Sequence, residues 1–194
     1  MKISPRTLGW LAFLAVAFLP PSGAQTTAPA ASSMEKKLQH LVSNGRSVRP
    51  DPSPTEFSDQ EVNSYFAAGK VKLPAGVQSV SFQTQPGMVG ASAQVNFDQI
   101  KGGRNSGNPL LSMFSGIHTI VVVAHAHGEG GQGFVHVDSV ILDDNEIPPI
   151  ILQLFVQKFV QPKYPNIGLD SKFSMPDRVD SATIGQEKST LIQK

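Results

Sequence analysis

Residues 117–142, IHTIVVVAHAHGEGGQGFVHVDSVIL, carry the reading that decides the fold. Read at a period of two, Ile120, Val122, Ala124 and Ala126 point one way, together with Val135, Val137 and Ile141 beyond a glycine-rich centre. A period of two over this length predicts a β-hairpin, Ile117–His127 and Gly133–Leu142, around a loop Gly128–Gly133. That register sets His127 opposite Phe134 and His125 opposite His136. His125, His127 and His136 then share one face, with Asp138 two residues further along. Cross-strand Cβ atoms lie about 5 Å apart, within reach of a shared zinc or copper ion. The same residues also suit the wet face of an amphipathic hairpin. Gly128-x-Gly130-x-x-Gly133 matches the dinucleotide fingerprint by letter, but that motif must lead from a strand into a helix. Here a strand follows, so the glycines are read as loop residues needing positive φ.

The same period extends upstream. Val77–Thr84 and Met88–Phe97 flank Pro86-Gly87, with Val89, Ala91, Ala93, Val95 and Phe97 on one face. Downstream, Asp180–Gly185 and Ser189–Gln193 predict a last pair of strands. Pro74, Val77, Ser79, Ser81 and Phe82 are echoed 102 positions later by Pro176, Val179, Ser181, Thr183 and Ile184.

Helical signals surround these strands. Met34, Leu38, Leu41 and Val42 form one face of a short helix ending at Gly45. Ser58 and Glu61 make a capping box, Phe57 and Val62 have the spacing of a hydrophobic staple, and Val62, Tyr65 and Phe66 face a core before a stop near Gly69. Lys101–Gly107 reads as a loop, and Asn108-Pro109 as the start of a short apolar turn through Phe114. Pro148-Pro149 opens an apolar helix, Ile150–Gln161, stopped by Pro162. Its polar residues are Gln153, Gln157, Lys158 and Gln161, so the apolar surface covers most of its girth. That predicts burial on two sides, either between sheet and helices or partly lining an apolar groove. Val122, Ala124, Val137, Ile151, Leu154, Phe155 and Phe159 are the expected lining.

The N-terminus bears on location. Lys2 and Arg6 precede an uncharged run, Leu8–Leu19, then Pro20-Pro21 and small residues up to Ala24. This is the layout of a secretory signal peptide over residues 1–24, with an apolar run too short to span a bilayer. Residues 25–55 read as a flexible spacer holding one short helix, and 56–194 as a single domain. Removing Lys2 and Arg6 takes the basic side chains from 16 to 14 against 15 acidic ones. A nearly neutral chain lacks the electrostatic footprint of a nucleic-acid binder. The chain has no cysteine, so disulfides, thiol catalysis and lipoprotein anchoring are excluded. No later apolar run is long enough to span a membrane.

Phe57-Ser-Asp-Gln-Glu-Val-Asn-Ser-Tyr-Phe66, Leu73-Pro-Ala-Gly-Val77, Asn108-Pro-Leu-Leu, Ile147-Pro-Pro-Ile-Ile-Leu and Pro162-Lys-Tyr-Pro165 follow in an order that resembles small exported bacterial proteins. The order of helix then hairpins is similar to the tubular lipid-binding group. That resemblance implies lipid held under a curved sheet, and carries no site residue onto this chain. The expected architecture is α+β, a curved antiparallel sheet of five or six strands with helices on one face. No nucleophile elbow, metalloprotease helix or P-loop is present. The expected role is a soluble, exported, non-enzymatic binding protein without cofactor, holding a lipid-like ligand between helix 149–161 and the sheet. An envelope assembly or scaffold protein with a packed core is the alternative, and a His-cluster metal binder the third.

Overall fold

The computed structural model describes residues 28–99, 115–162 and 165–194. The expected leader and the stretch 101–114 lie outside the described residues. Among those described, three α-helices accompany nine strands paired antiparallel in one open sheet, an α+β architecture.

Helix α1, Ala28–Gly45, ends at the expected Gly45 and begins before Met34, within the stretch read as spacer. Ala28, Ala30 and Ala31 are strong helix formers, and Pro29 is tolerated in a first turn. Ala31, Met34 and Leu41 are buried, and Met34 and Leu41 join the main core. The proline-rich stretch after it is irregular and ends in a short strand, β1, Thr55–Ser58.

Helix α2, Asp59–Ala67, starts on the expected capping box: Ser58 Oγ accepts from the Glu61 backbone while Glu61 accepts from the Ser58 N–H. Phe57, Val62, Tyr65 and Phe66 are all buried, and Gly69 follows the helix with φ +67°. Glu61 does a second job. Its carboxylate also accepts from Ser33 Oγ at 2.5 Å and Lys37 Nζ at 2.7 Å, fastening α1 to α2.

Strands β2, Val77–Gln85, and β3, Met88–Asn96, form the expected hairpin around Gly87 at φ +73°. Among the described residues only β3 pairs with β2 as a strand, so its other edge needs cover. Helix α2 supplies it. Asn63 Oδ1 accepts from the Phe82 N–H at 2.6 Å and its amide donates to the Phe82 carbonyl at 2.8 Å. One turn earlier, Asp59 accepts from the Thr84 N–H at 2.6 Å and its hydroxyl at 2.8 Å. The Phe66 ring meets the Phe82 ring edge-on at 4.8 Å behind them.

Strands β4, Ile117–Glu129, and β5, Gln132–Leu142, are longer than expected. Their turn is only Gly130-Gly131, with φ +57° and +76°, the geometry a two-residue hairpin turn requires. Gly128 and Gly133 are therefore strand residues opposite each other. A Cβ on Gly133 would lie 2.2 Å from the Phe173 ring, and one on Gly128 2.7 Å from Met175 Sδ. These glycines serve close packing, not positive φ. A bulge after Val123 also moves Val140 opposite Val122, so Ile141 faces away from the set assigned to it.

Strand β6, Asn145–Glu146, and β7, Asp170–Ser174, pair with β5. Strands β8, Val179–Gly185, and β9, Lys188–Gln193, form the last hairpin, and β9 takes β1 as its neighbour. The strand count exceeds the expected five or six because β1, β6 and β7 are too short or too polar to show a period. β3 pairs with Ile117–His125 of β4, and β8 takes over at Gly128. The two flanking hairpins echo each other in structure. In each, a valine N–H donates to a proline carbonyl three residues earlier, Val77 to Pro74 and Val179 to Pro176, both at 3.1 Å. A register shift follows each valine. Their tips exchange bonds, Gly87 N–H to the Ile184 carbonyl and Glu187 N–H to the Thr84 carbonyl, both at 3.0 Å.

Helix α3, Pro149–Phe155, is the largest departure. No residue in it is buried, although its composition predicts burial on two sides. It passes into a π-helical turn, Val156–Val160, marked by the Gln161 N–H donating to the Val156 carbonyl. Composition reports what a surface can bury; it does not supply the element that covers it.

Two outcomes test these contacts. Asn63→Ala leaves the Phe82 N–H and carbonyl without their partner, and urea unfolding is expected to show a loss of about 1–3 kcal/mol. Glu61 is subject to an upward push from burial, but bonds from Lys37, Ser33 and the Ser58 backbone hold its carboxyl below the ordinary 4.5. Its stabilisation is therefore present above pH 4.5 and lost as the pH falls through the lower folded value. Glu61→Gln should cost about 1–3 kcal/mol at neutral pH and converge with the parent in acid. A gap unchanged from pH 7 to pH 3 would remove Glu61 as the source.

Candidate functional site

Among the described residues, the β4–β5 hairpin and the α3 helix present the surfaces of interest. The inner face of that hairpin is packed. Ala124 belongs to the main core, with Val122 and Val137 against it, beside α1 and α2 residues. Ile151, Leu154 and Phe155 lie outside that cluster on α3, so the expected lining is divided between core and exposed surface. Phe159 falls in the π-helical turn.

The outer face carries the histidines in the expected register, His127 opposite Phe134 and His125 opposite His136. Strand β7 extends each row, placing Lys172 beside Phe134 and Asp170 beside His136. The His127 ring stacks on Phe134 at 4.9 Å between centroids, and Lys172 Nζ lies over the same ring at 5.1 Å. His125 Nδ1 is 2.9 Å from both Asp138 carboxylate oxygens, while His136 Nδ1 is 2.6 Å from Asp170 Oδ1. His136 Nε2 lies 4.0 Å from Asp138 Oδ1. The hydrogen bond and charge of Asp170 raise the His136 imidazole above its ordinary range. His125, His127, Phe134, Val135, His136, Asp170, Ser171 and Lys172 surround an open depression of about 260 Å³. The three imidazoles turn to different partners. Among the described residues no group of three or more histidine, aspartate or glutamate side chains is placed to hold a metal ion. Sequence reasoning missed Asp170 and Lys172, since a five-residue polar strand after a proline-rich stretch shows little period. Their alternation was the only local signal.

The second surface is α3 and its approach. Ile150 is 62 % exposed, Leu154 49 % and Phe155 41 %, with Ile151 at 39 %. The approach is pinned by the turn Asp143-Asp144, two residues at positive φ. The Asp143 carboxylate accepts from the Thr119 N–H at 2.9 Å and pairs with His118 Nδ1, while the His118 Nε2 meets the Ser115 carbonyl at 3.1 Å. Phe97 meets the His118 ring edge-on at 5.4 Å. The acidic turn was legible in the sequence; its clasp on β4 was not.

Comparison with protein-family profiles, with curated proteins and with solved structures gives no match. Among the described residues no helix is long and apolar enough to cross a membrane.

The Asp143 hydrogen bond raises the His118 imidazole above its ordinary 6.5, outweighing the opposing effect of burial. The pair therefore stabilises the turn fully below pH 6.5, and the contribution is lost as the pH rises through the higher folded value. NMR titration of the ring nitrogens should give His118 a midpoint above 6.5 that returns toward it in Asp143→Asn. An unchanged midpoint in that variant would break the assignment.

Proposed function

We propose that this is an exported, non-enzymatic binding protein of the cell envelope that takes hold of a lipid-like apolar partner through helix α3. One observation carries this reading: an apolar helix with no buried residue, presenting Ile150, Ile151, Leu154 and Phe155. Full burial of such side chains is worth about 1.5–3 kcal/mol each, so four of them roughly half-exposed carry on the order of 3–6 kcal/mol. That suffices for reversible attachment and falls short of permanent anchoring.

Charge favours lipid over a hydrated protein surface. Between Ile147 and Pro162 the chain has one charged residue, Lys158, and no acid. The remaining polar positions are glutamines, which tolerate an interface without demanding an ionic partner. At 1.5 Å rise per residue the seven-residue helix extends about 10 Å, a length suited to lying along an interface. The signal-peptide layout of residues 1–24 supports an envelope location. The alternative is an assembly protein that buries α3 against another protein; it is favoured by the packing of Val122, Ala124 and Val137 into the core, where a ligand cavity was expected.

Flotation of the purified protein with phosphatidylglycerol–phosphatidylcholine vesicles separates the readings, together with mass spectrometry of a gentle organic extract. Binding to vesicles or a co-purifying acyl lipid is expected. Ile150→Ser with Leu154→Ser should reduce flotation at least tenfold while leaving thermal unfolding unchanged, because both residues are exposed. No lipid, no flotation, and an envelope protein lost from pull-downs only in the double variant would overturn lipid binding in favour of assembly.

A further inference from the structure

We propose that His125 and His136 form a two-histidine chelate for a divalent transition-metal ion, with Asp138 and Asp170 as the carboxylates that orient the rings. This site is separate from helix α3 and stands independently of the lipid reading. His125 and His136 are direct cross-strand partners on the outer face, so their Cβ atoms fall about 5 Å apart. Two imidazoles at that spacing can direct one nitrogen each at a common ion.

Each ring is already held in the way a metal-binding imidazole is held. Both Nδ1 atoms face a carboxylate, His125 at 2.9 Å from Asp138 and His136 at 2.6 Å from Asp170. A neutral ring that donates Nδ1–H to a carboxylate keeps its lone pair on Nε2 and becomes a better ligand. Both members of the opposed pair have such a partner. The side chains are 58 % and 60 % exposed, which leaves room for ring rotation and for water to complete the coordination shell.

The charges around the pair also suit a cation. Asp138 and Asp170, each within hydrogen-bond distance of one of the two rings, contribute two negative charges that offset a doubly charged ion. The facing cation, Lys172, has its Nζ over the Phe134 ring in the neighbouring row. His127 stacks on that ring and stands one row away, so the chelate is assigned to two histidines and not three. The depression of about 260 Å³ bounded by His125, His136, Asp170 and Lys172 gives the ion an open approach. Two nitrogen ligands with solvent favour Cu²⁺ over Ni²⁺ and Zn²⁺ by the general order of divalent affinities.

The test is calorimetric titration of the full, untagged, metal-stripped protein with Cu²⁺ and Zn²⁺, with electron paramagnetic resonance of the copper form. One Cu²⁺ per chain at micromolar affinity is expected, with nitrogen hyperfine structure and weaker Zn²⁺ binding. His125→Ala and His136→Ala should each weaken Cu²⁺ binding at least 100-fold, and His136→Gln should do the same with unchanged circular dichroism. Asp138→Asn and Asp170→Asn should each weaken it roughly tenfold, the range expected for removal of an outer-shell partner. His127→Ala should change it less than threefold. Absence of binding tighter than millimolar overturns the proposal, as does Cu²⁺ binding that survives loss of both His125 and His136. A His127→Ala loss equal to the other two would overturn the two-histidine assignment.

Discussion

The open edge of β2 is the constraint on which the rest of the molecule depends. A strand with one unpaired edge leaves N–H and carbonyl groups that must find partners or invite another chain. Asp59 and Asn63, one helical turn apart on α2, answer Thr84 and Phe82 in succession. Thr84 has 0 % exposure and every polar group engaged: N–H and hydroxyl on Asp59, carbonyl on the Glu187 N–H. The Asp59 N–H donates in turn to the Glu187 carbonyl at 3.0 Å. Burial raises the Asp59 carboxyl above its ordinary range, against the two bonds from Thr84 that favour its ionised form. One helix terminus, one edge strand and one distant hairpin tip are thereby joined through a few atoms.

What that junction achieves is placement. With the β2–β3 and β8–β9 tips locked together, β4 is flanked by β3 along Ile117–His125 and by β8 at Gly128. Helices α1 and α2 fill the inner face through Met34, Leu41, Val62, Tyr65 and Phe66. A second polar tie secures the other end of α1: Gln193, 2 % exposed, accepts from Asn44 and donates to the Leu41 carbonyl. The β4–β5 hairpin then has its inner face occupied and its outer face open. The histidine rows lie on that outer face, and the helix that follows β6 has no buried residue.

Much of this was legible in residue order. The capping box at Ser58 and Glu61, the stop at Gly69, the Pro86-Gly87 turn and the pairing of His125 with His136 all depend on groups close in sequence or fixed by a period of two. The echo between Pro74–Phe82 and Pro176–Ile184 was visible as letters and reappears as matching proline turns and register shifts. Other readings failed for identifiable reasons. Ala28–Ser33 looked like spacer because small residues show no amphipathic pattern, yet Ala31 is buried on α1. Gly128 and Gly133 looked like loop glycines because the demand of the Phe173 ring comes from a strand some forty residues away. The bulge after Val123, which turns Ile141 away, leaves no mark in the hydrophobic pattern.

The sequence by itself determined the six longer strands, where the best-capped helix begins, and which histidines oppose each other. Those properties rest on hydrogen bonds and side-chain periods that close within a turn or across one hairpin. Only the tertiary structure decided that Asp59 and Asn63 seal an edge, that Asp170 reaches His136, and that α3 is left with its apolar side chains exposed. Burial and edge pairing depend on which distant surface arrives. Ile150–Phe155 encodes the capacity to be covered, while α1 and α2 pack with Val122, Ala124 and Val137 on the sheet and leave that helix without a buried residue.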